Sequence, residues 1–391
     1  MRRTGRKSFL LVIAAMVWFP LIAFGEMDIR YTDDGFKIEA DDRWIKLGGT
    51  LMWDLDSASA EFWDSEDEND TGRTYSGIRR ARFNIKTKIE DNWKAKLQFE
   101  LAEEDVSNIV KDAYLKYEGW RYVNVIVGQD KEPFGLEAMT SSKKLSFIER
   151  SMVSDAFRPG RSVGISLEDE TDILFGQLGV YEAQNRENDG DTYAATGRLG
   201  IAPWNSDTGC FHLGASGSYR DFDGEAFEIE SSGGIYTADN IIYSDEIDTD
   251  HLFLYGMETV LGLGPFSLQA EYMLGEVEAV EKDDDASFDG YYLAASWFLT
   301  GERRRLKNGT WERVIPSATY GAWEVAARYS DLDAAANGLG TAAQAYTMGV
   351  NWYINSNVRL MTDYVQLRVT DEATDTETTG EGVSCRIQYE F

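Results

Sequence analysis

The sequence predicts an all-β protein that folds as a 16-stranded antiparallel transmembrane β-barrel. Three observations support this prediction: an export signal at the N-terminus, hydrophobic alternation with a period of two along the rest of the chain, and the length of the alternating segments. Each segment spans roughly ten residues or more, which is the length that a tilted strand needs to cross a bilayer. Strands in soluble sheets are shorter, at about five or six residues.

The first 25 residues are predicted to be a signal peptide that is removed during export. A basic start is followed by the apolar stretch 9–24, and Ala23-Phe24-Gly25 matches a small-x-small cleavage site. The apolar stretch is short for a spanning helix and Pro20 interrupts it. We therefore favour cleavage over a retained membrane anchor. No linker divides residues 26–391, which are predicted to form one barrel domain.

The alternating segments, taken in order along the chain, define the predicted strands. An even number of strands is typical of bacterial barrels. With a periplasmic N-terminus, short and long connections should alternate, and segment 300–317 is the exception because it is long where a short turn is expected. The predicted strands are 44–57, 75–90, 93–105, 108–118, 121–130, 161–170, 171–183, 191–202, 209–222, 250–263, 266–279, 287–300, 320–332, 343–354, 357–370 and 380–391.

The segment 79–89 concentrates positive charge in an acidic chain. The whole sequence has 68 Asp and Glu against 38 Lys and Arg, a formal net charge of −30, yet this segment has five basic residues and no acid. From Arg80 onward, basic and apolar residues alternate, so one face of the strand is cationic and the other is apolar. In a membrane barrel, the apolar face would contact lipid outside and the cationic face would contact water inside. We therefore expect small or charged residues along the lumen. Arg79 has the parity of the apolar face and is expected at the membrane interface.

The next strand continues the cationic face, and together the two strands give the candidate anion-binding residues of the pore wall. Rows of Arg and Lys are a common way for a pore to favour anions. Individual members can instead pair with Glu100, Asp112 or Glu118, but we expect the row to keep its charge because these two strands contain few acids. The candidates are Arg80, Arg82, Lys86, Lys88, Lys94 and Lys96.

The negative charge is concentrated at predicted strand ends and in loops, which we interpret as solvated segments. Bridging of divalent cations to lipid is an alternative hypothesis, although no spacing defines a metal site. No metal or cofactor is predicted. The acidic segments are EFWDSEDEND, EDETD, RENDGD, DFDGEAFEIE, EVEAVEKDDD and DEATDTETT.

Cysteine and histidine are scarce, which limits the chemistry the chain can perform. Two cysteines exclude a disulfide framework. One of the two histidines, His212, shares a strand face with Ser216 and Ser218, but the spacing does not specify a catalytic triad. We interpret His212 as a residue of the lumen wall and predict that the protein is not an enzyme.

Residues 131–160 form the longest stretch in the first half of the chain without strand alternation, and they are predicted to be a constriction loop. Leu145, Ile148, Met152 and Val153 approximate one face of a helix. The stretch either covers the barrel from outside or folds into the lumen. The cations of this stretch, together with Arg161 directly after it, are Lys131, Lys143, Lys144, Arg150, Arg158 and Arg161.

Five motifs follow one another along the chain: SGIRRARFNIKTKI, DAYLKYEG, VGQDKEPFGLEAMTSSKKLSFIERSMVSDAFRPGRSVGI, GAWEVAARYSDLD and GVNWYINSNVRLMTDYVQ. In this order they resemble the phosphate-selective porin O and P family, from about residue 44 to 391. The resemblance implies a 16-stranded barrel, usually trimeric, with its third loop folded inward and an anion pathway lined by Arg and Lys. Arg79, Arg80, Arg82 and Lys143 lie within matching motifs.

The predicted function is that of an outer-membrane porin through which small solutes diffuse. Anions are the preferred solutes, with phosphate, polyphosphate or other oxyanions as candidates, and the expected partners are outer-membrane lipid and two further copies of the chain, without nucleic acid. The alternatives are a general or cation-preferring porin governed by the acidic loops, and a barrel enzyme or adhesin. Asp130 and Glu132 flank Lys131, which favours general anion selectivity over phosphate specificity.

Overall fold

A computed structural model describes residues 27–32, 35–63, 72–103, 108–182 and 192–391. The predicted signal peptide lies outside these residues, as do part of the acidic segment EFWDSEDEND and all of RENDGD. The strands, in chain order, are β1 (Asp28–Thr32), β2 (Gly35–Ala40), β3 (Arg43–Ala58), β4 (Arg73–Glu90), β5 (Trp93–Glu100), β6 (Val110–Tyr117), β7 (Asn124–Lys131), β8 (Arg161–Glu170), β9 (Leu174–Glu182), β10 (Tyr193–Asn205), β11 (Gly209–Phe227), β12 (Glu230–Ser231), β13 (Ile242–Tyr243), β14 (Ile247–Leu263), β15 (Phe266–Ala279), β16 (Ala286–Phe298), β17 (Leu306–Lys307), β18 (Thr310–Trp311), β19 (Ala322–Asp333), β20 (Thr341–Tyr353), β21 (Val358–Asp371) and β22 (Thr376–Glu390).

Sixteen of these strands close into an antiparallel barrel, which confirms the predicted fold class. The barrel runs from β3 through β11, β14 to β16 and β19 to β22, and β22 pairs with β3 to close it. Next to this seam, the backbone N–H of Gly49 donates to the carbonyl of Phe391 at 2.9 Å. β1 and β2 extend the sheet beside the start of β3 without joining the barrel wall.

Alternation along the strands places apolar side chains outside and polar side chains inside. On β3, Trp53 and Leu55 are exposed, whereas Asp54 and Asp56 are each 2% exposed. This is the reverse of a soluble sheet, in which the apolar face is buried. The outer surface therefore has the character of a surface in contact with lipid.

The lumen is more apolar than the sequence indicated. Phe134, Met152 and Phe157 from the loop after β7 and Ile235 from the loop after β11 pack against inward side chains such as Phe288. The apolar residues on the strands keep the two-residue alternation and point to the inside of the barrel. Inserted loops cover them there, so they are not exposed to water. The expectation that small or charged residues line the whole lumen is therefore wrong for this part of the wall.

The two ends of the barrel differ in the length of their connections. Short turns such as 91–92 and 264–265 lie at one end, here called the turn end, and most long connections lie at the other, the loop end. Two short helices, Leu136–Met139 and Met152–Phe157, lie in the third loop-end connection. Within the described residues, no helix is long and apolar enough to cross a membrane.

The long turn-end connection 299–321 folds back into the lumen, which explains why it departs from the short-turn pattern. Its β17–β18 hairpin places Leu306 and Trp311 in a buried cluster with Leu136 from the loop-end side. The indole Nε1 of Trp311 donates to the side-chain oxygen of Gln269 on β15 at 2.5 Å. Insertions from opposite ends of the barrel therefore meet inside it.

We expect Trp311→Ala to lower the free energy of unfolding by about 3–5 kcal/mol, because a buried indole is replaced by a cavity. Trp311 is 3% exposed, whereas Trp120 is 58% exposed and provides a matched control. Denaturant unfolding of both variants in the same detergent measures the difference. A loss in Trp311→Ala no larger than that in Trp120→Ala would contradict the inserted position of the hairpin.

Candidate functional site in the barrel lumen

The third loop-end connection, residues 132–160, crosses the lumen and is here called the third loop. Its backbone is bonded by strands distant from β7 and β8. Arg386 on β22 donates to the carbonyl of Ile148 at 2.6 Å, and Asp363 on β21 accepts from the N–H of Ile148 at 2.7 Å. Glu271 on β15 accepts from the N–H groups of Leu136 and Glu137 at 2.5 and 2.9 Å. The predicted inward-folded third loop is thus confirmed.

Arg328 on β19 fixes the middle of the third loop from the far side of the barrel. Its guanidinium donates to the Glu137 carboxylate at 3.3 Å and to the carbonyls of Glu149 and Arg150 at 3.2 and 3.3 Å. It also lies 4.5 Å from the ring centroid of Phe147. One buried cation therefore joins four residues of the third loop, which restricts the loop to one path across the pore.

The predicted cationic row lies on the lumen face of β4 and β5, where most of its members have acidic neighbours. Arg82 is 2.8 Å from Glu100. Lys94 is 2.6 Å from Glu118, and Lys96 is 2.5 Å from Asp112. The pairing alternative is thus confirmed for these three cations.

The remaining members of the row differ in their surroundings. Lys88 lies 4.0 Å from exposed Asp91, and Arg80 lies 3.6 Å from Glu149. Lys86 lies opposite Lys96 in the sheet. The two strands contain few acids, as the sequence indicated, but further partners for the row come from β6 and the third loop.

Strand register also places like charges beside one another on this wall. Lys46, Lys86 and Lys96 are cross-strand neighbours on β3, β4 and β5. Lys88, Lys94 and Lys116 form the adjacent row on β4, β5 and β6. Like charges directly opposite each other destabilise a sheet, so such rows require water, acids or bound anions around them.

The predicted cations of the loop segment occupy three different environments. Lys131 and Arg161 are paired in register on β7 and β8, and Arg161 contacts Asp112 at 2.6 Å. Arg158 forms an exposed pair with Asp155. Arg150 bonds to carbonyls of the third loop itself, and Lys143 and Lys144 line a cavity at the turn end.

Lys143 and Lys144 reach the turn end of the lumen. Lys143 lies 2.9 Å from Glu390 on β22. Both lysines line a wide cavity together with basic residues of the inserted turn-end connection, including Arg303 and Arg313. The third loop therefore extends to the turn end of the lumen, where its two lysines meet Glu302, Glu312 and Glu390 as well as arginines.

A β-bulge brings two consecutive arginines to the lumen. Met52 pairs with Arg80 while Trp53 pairs with Ile78, so Arg79 is the extra residue on β4. Its guanidinium binds the Glu149 carboxylate at 3.0 and 3.1 Å. The expected interfacial position of Arg79 is therefore wrong, because the bulge adds a residue and changes the parity of the strand.

Glu149 lies at the centre of this cationic cluster. Arg386 donates to its carboxylate at 2.7 Å, and Arg80 lies 3.6 Å away. Burial opposes ionisation of this carboxyl, but the charges of Arg79, Arg80 and Arg386 hold the pKa of Glu149 well below its usual range. Glu149 therefore carries a negative charge within a group of three arginines.

The histidine and serines considered for catalysis are separated into different contacts. His212 is fully buried and its Nε2 lies 2.7 Å from Glu258. Ser218 bonds to Thr196 at 2.8 Å, and Ser216 accepts from the N–H of Gly135 at 3.3 Å. No Ser–His hydrogen bond joins them among these described contacts.

Sequence analysis missed Arg386 as a residue of the site. The residue alternates with Ser384 and Gln388 on the lumen parity of the last strand, so its inward direction was predictable. Its proximity to Arg79 and Glu149 was not, because β4, β22 and the third loop meet only in the closed barrel.

A closed barrel with an inward loop and charged lumen walls belongs to the class of outer-membrane porins, which lie in the bacterial outer membrane. The chain is a member of the phosphate-selective porin O and P family, whose model matches residues 45–391. It is 29% identical to Porin O of Pseudomonas aeruginosa over 94% of this chain and 91% of that protein.

Solved structures of low sequence identity have the same fold. An anion-selective porin from Comamonas acidovorans has a TM-score of 0.56 and 12% identity, covering 89% of this chain and 100% of that one. The outer-membrane channel DcaP of Acinetobacter baumannii has a TM-score of 0.57 and 11% identity, covering 92% and 100%. OmpT of Vibrio cholerae, solved in a trimer form, has a TM-score of 0.55 and 13% identity, covering 90% and 100%.

Proposed function

We propose that this porin passes small anions by passive diffusion and that oxyanions such as phosphate or polyphosphate are its preferred solutes. The predicted wall and loop cations supply successive weak contacts along the lumen. A solute that binds weakly at several sites can enter and still leave. No chemical step is required, and we propose that the protein is not an enzyme.

The observation that carries this proposal is the sharing of carboxylates between cations. Asp112 lies 2.5 Å from Lys96 and 2.6 Å from Arg161. Glu118 lies 2.6 Å from Lys94 and 2.9 Å from Lys116. Lys116 also lies 2.5 Å from Glu168, so these contacts bring four cations against three carboxylates and leave one positive charge in excess.

One cation of the third loop adds to that excess. Arg150 donates to the carbonyls of Glu137 and Thr140 at 3.1 and 2.9 Å. Carbonyl oxygens satisfy the donors but do not neutralise the charge. In a narrow passage such charges raise the local concentration of anions, whatever the net charge of the chain.

The proposed partners are outer-membrane lipid and two further copies of the chain. The apolar outer surface is suitable for contact with either, and the V. cholerae relative in fold was solved as a trimer. Nucleic acid is not a proposed partner.

The reversal potential in a planar bilayer under a KCl gradient tests the proposed selectivity. We expect the sign of a chloride-selective channel, with current reduced by millimolar phosphate if oxyanions bind. The acidic loops support the alternative of cation preference, and exposed loop charges are screened more strongly by salt than charges within the lumen. Potassium selectivity at both low and high salt would overturn the anion proposal.

A further inference from the structure

The carboxylate of Glu149 occupies a position suited to an oxyanion. Arg79 binds it through two nitrogens at 3.0 and 3.1 Å, and Arg386 donates to it at 2.7 Å. Arginine pairs with carboxylate and phosphate through the same planar arrangement of donors. The contacts made by Glu149 are therefore those that a permeating oxyanion would make.

The arginines of this cluster retain donors beyond those that Glu149 satisfies. Arg80 is 5% exposed, and the hydrogen bond described for its side chain is a 3.8 Å contact from Nη1 to the sulfur of Met52. Its Nε has no hydrogen-bond partner among the described residues. Two carboxylates, Glu149 and Asp54, thus serve three arginines, and the Nε of Arg80 remains a donor that an oxyanion could use.

Glu149 is accessible from the lumen and is one of many attachments of the third loop. Its side chain is 15% exposed, as against 4% for Glu137, which anchors the same loop through Arg328. Contacts from Glu271, Asp363 and Arg328 hold the loop backbone independently of the Glu149 carboxylate. Moving or neutralising this carboxylate therefore leaves the main supports of the loop in place.

We propose that Glu149 is a tethered competitor that determines how strongly the Arg79, Arg80 and Arg386 cluster binds oxyanions. The inference rests on the proposed function of the lumen as an anion pathway. A permeating phosphate or carboxylate can bind these arginines only when the Glu149 carboxylate dissociates from them. Glu149 thereby keeps oxyanion binding weak and permeation fast. Removal of its carboxylate strengthens binding, so that oxyanions are retained at the arginine cluster.

Glu149→Gln tests this proposal because it removes the charge and keeps the shape of the side chain. Arg386 retains Asp54 as a bidentate partner at 2.7 and 2.6 Å. We expect the phosphate concentration that halves the chloride current to fall by about tenfold, which corresponds to about 1.4 kcal/mol in binding. Glu103→Gln is the matched control, because Glu103 lies in the loop-end connection after β5 and pairs with Lys111 on β6 at 2.8 Å.

The double variant Glu149→Gln with Arg80→Gln separates oxyanion binding from a general change in the pore. We expect it to lose most of the gained phosphate block, and thermal unfolding in detergent verifies that each variant is folded. Unchanged phosphate block in folded Glu149→Gln, or equal strengthening in Glu103→Gln, would overturn the proposal. Strengthened block that persists in the double variant would also overturn it.

The two proposals fail in distinguishable ways. A potassium-selective wild-type channel would overturn the proposed function, whereas phosphate block that appears only in Glu149→Gln would still support the role of Glu149. A chloride-selective wild-type channel with no difference between the variants would retain the proposed function and overturn the tethered-competitor inference.

Discussion

Arg328→Ala is expected to reduce the free energy of unfolding by about 3–5 kcal/mol, because it leaves the buried carboxylate of Glu137 without its cation. The same change removes donors from the carbonyls of Glu149 and Arg150. We therefore also expect a larger and noisier single-channel conductance as the third loop moves away from β19. Denaturant unfolding in detergent and single-channel recording measure the two effects.

Arg368→Ala provides the matched control for the loss of an arginine. Arg368 forms a pair with Glu377 at 3.5 Å, and both side chains are more than half exposed. Exposed pairs contribute about 0–1 kcal/mol, so this variant should unfold like the wild type and keep its conductance. An Arg328→Ala channel with wild-type conductance and stability would contradict the anchoring role of Arg328.

Arg150→Gln is expected to lower the chloride-to-potassium permeability ratio by roughly fivefold. The variant removes a charge whose hydrogen bonds go to the carbonyls of Glu137 and Thr140 in the third loop. Loss of about 1 kcal/mol of attraction for a nearby anion corresponds to this factor. Reversal potentials under a KCl gradient measure the ratio directly.

Lys282→Gln distinguishes a charge in the pathway from charge on the protein as a whole. Lys282 is exposed in the short 3-10 helix Lys282–Asp284 at the loop end. The same unit of charge is removed, but its field is screened by the surrounding electrolyte. Equal shifts of the reversal potential in both variants would contradict a specific role for Arg150.

The strands were predictable because a membrane barrel imposes two strong constraints on its sequence. Lipid on one face and a filled lumen on the other force alternation over the whole thickness of the bilayer. The predicted segments 44–57 and 266–279 thus correspond closely to β3 at Arg43–Ala58 and β15 at Phe266–Ala279. The third loop was recognisable as an interruption of this pattern.

The inner contacts were not predictable because they depend on closure and on local irregularities. The bulge at Arg79 shifts parity without any change in residue type that would indicate it. Asp112 was a possible partner of the cationic row, but its sharing between Lys96 and Arg161 was not foreseen, because it depends on β5, β6 and β8 curving around the same wall. Periodicity gives the direction of a side chain but not its partner across the lumen.

The seam of the barrel also determines the order in which the protein can be assembled. Arg386 and Asp54 are separated by 332 residues in the sequence, yet they form a buried bidentate pair. The same arginine bonds the third loop at Ile148. The last strand, β22, must therefore pair with the barrel before the third loop can form all of its contacts. The pore is thus completed only after nearly the entire chain has been synthesised and exported. Contacts of such high sequence separation form late and slowly, so an incomplete chain would present an open seam and an unsupported loop.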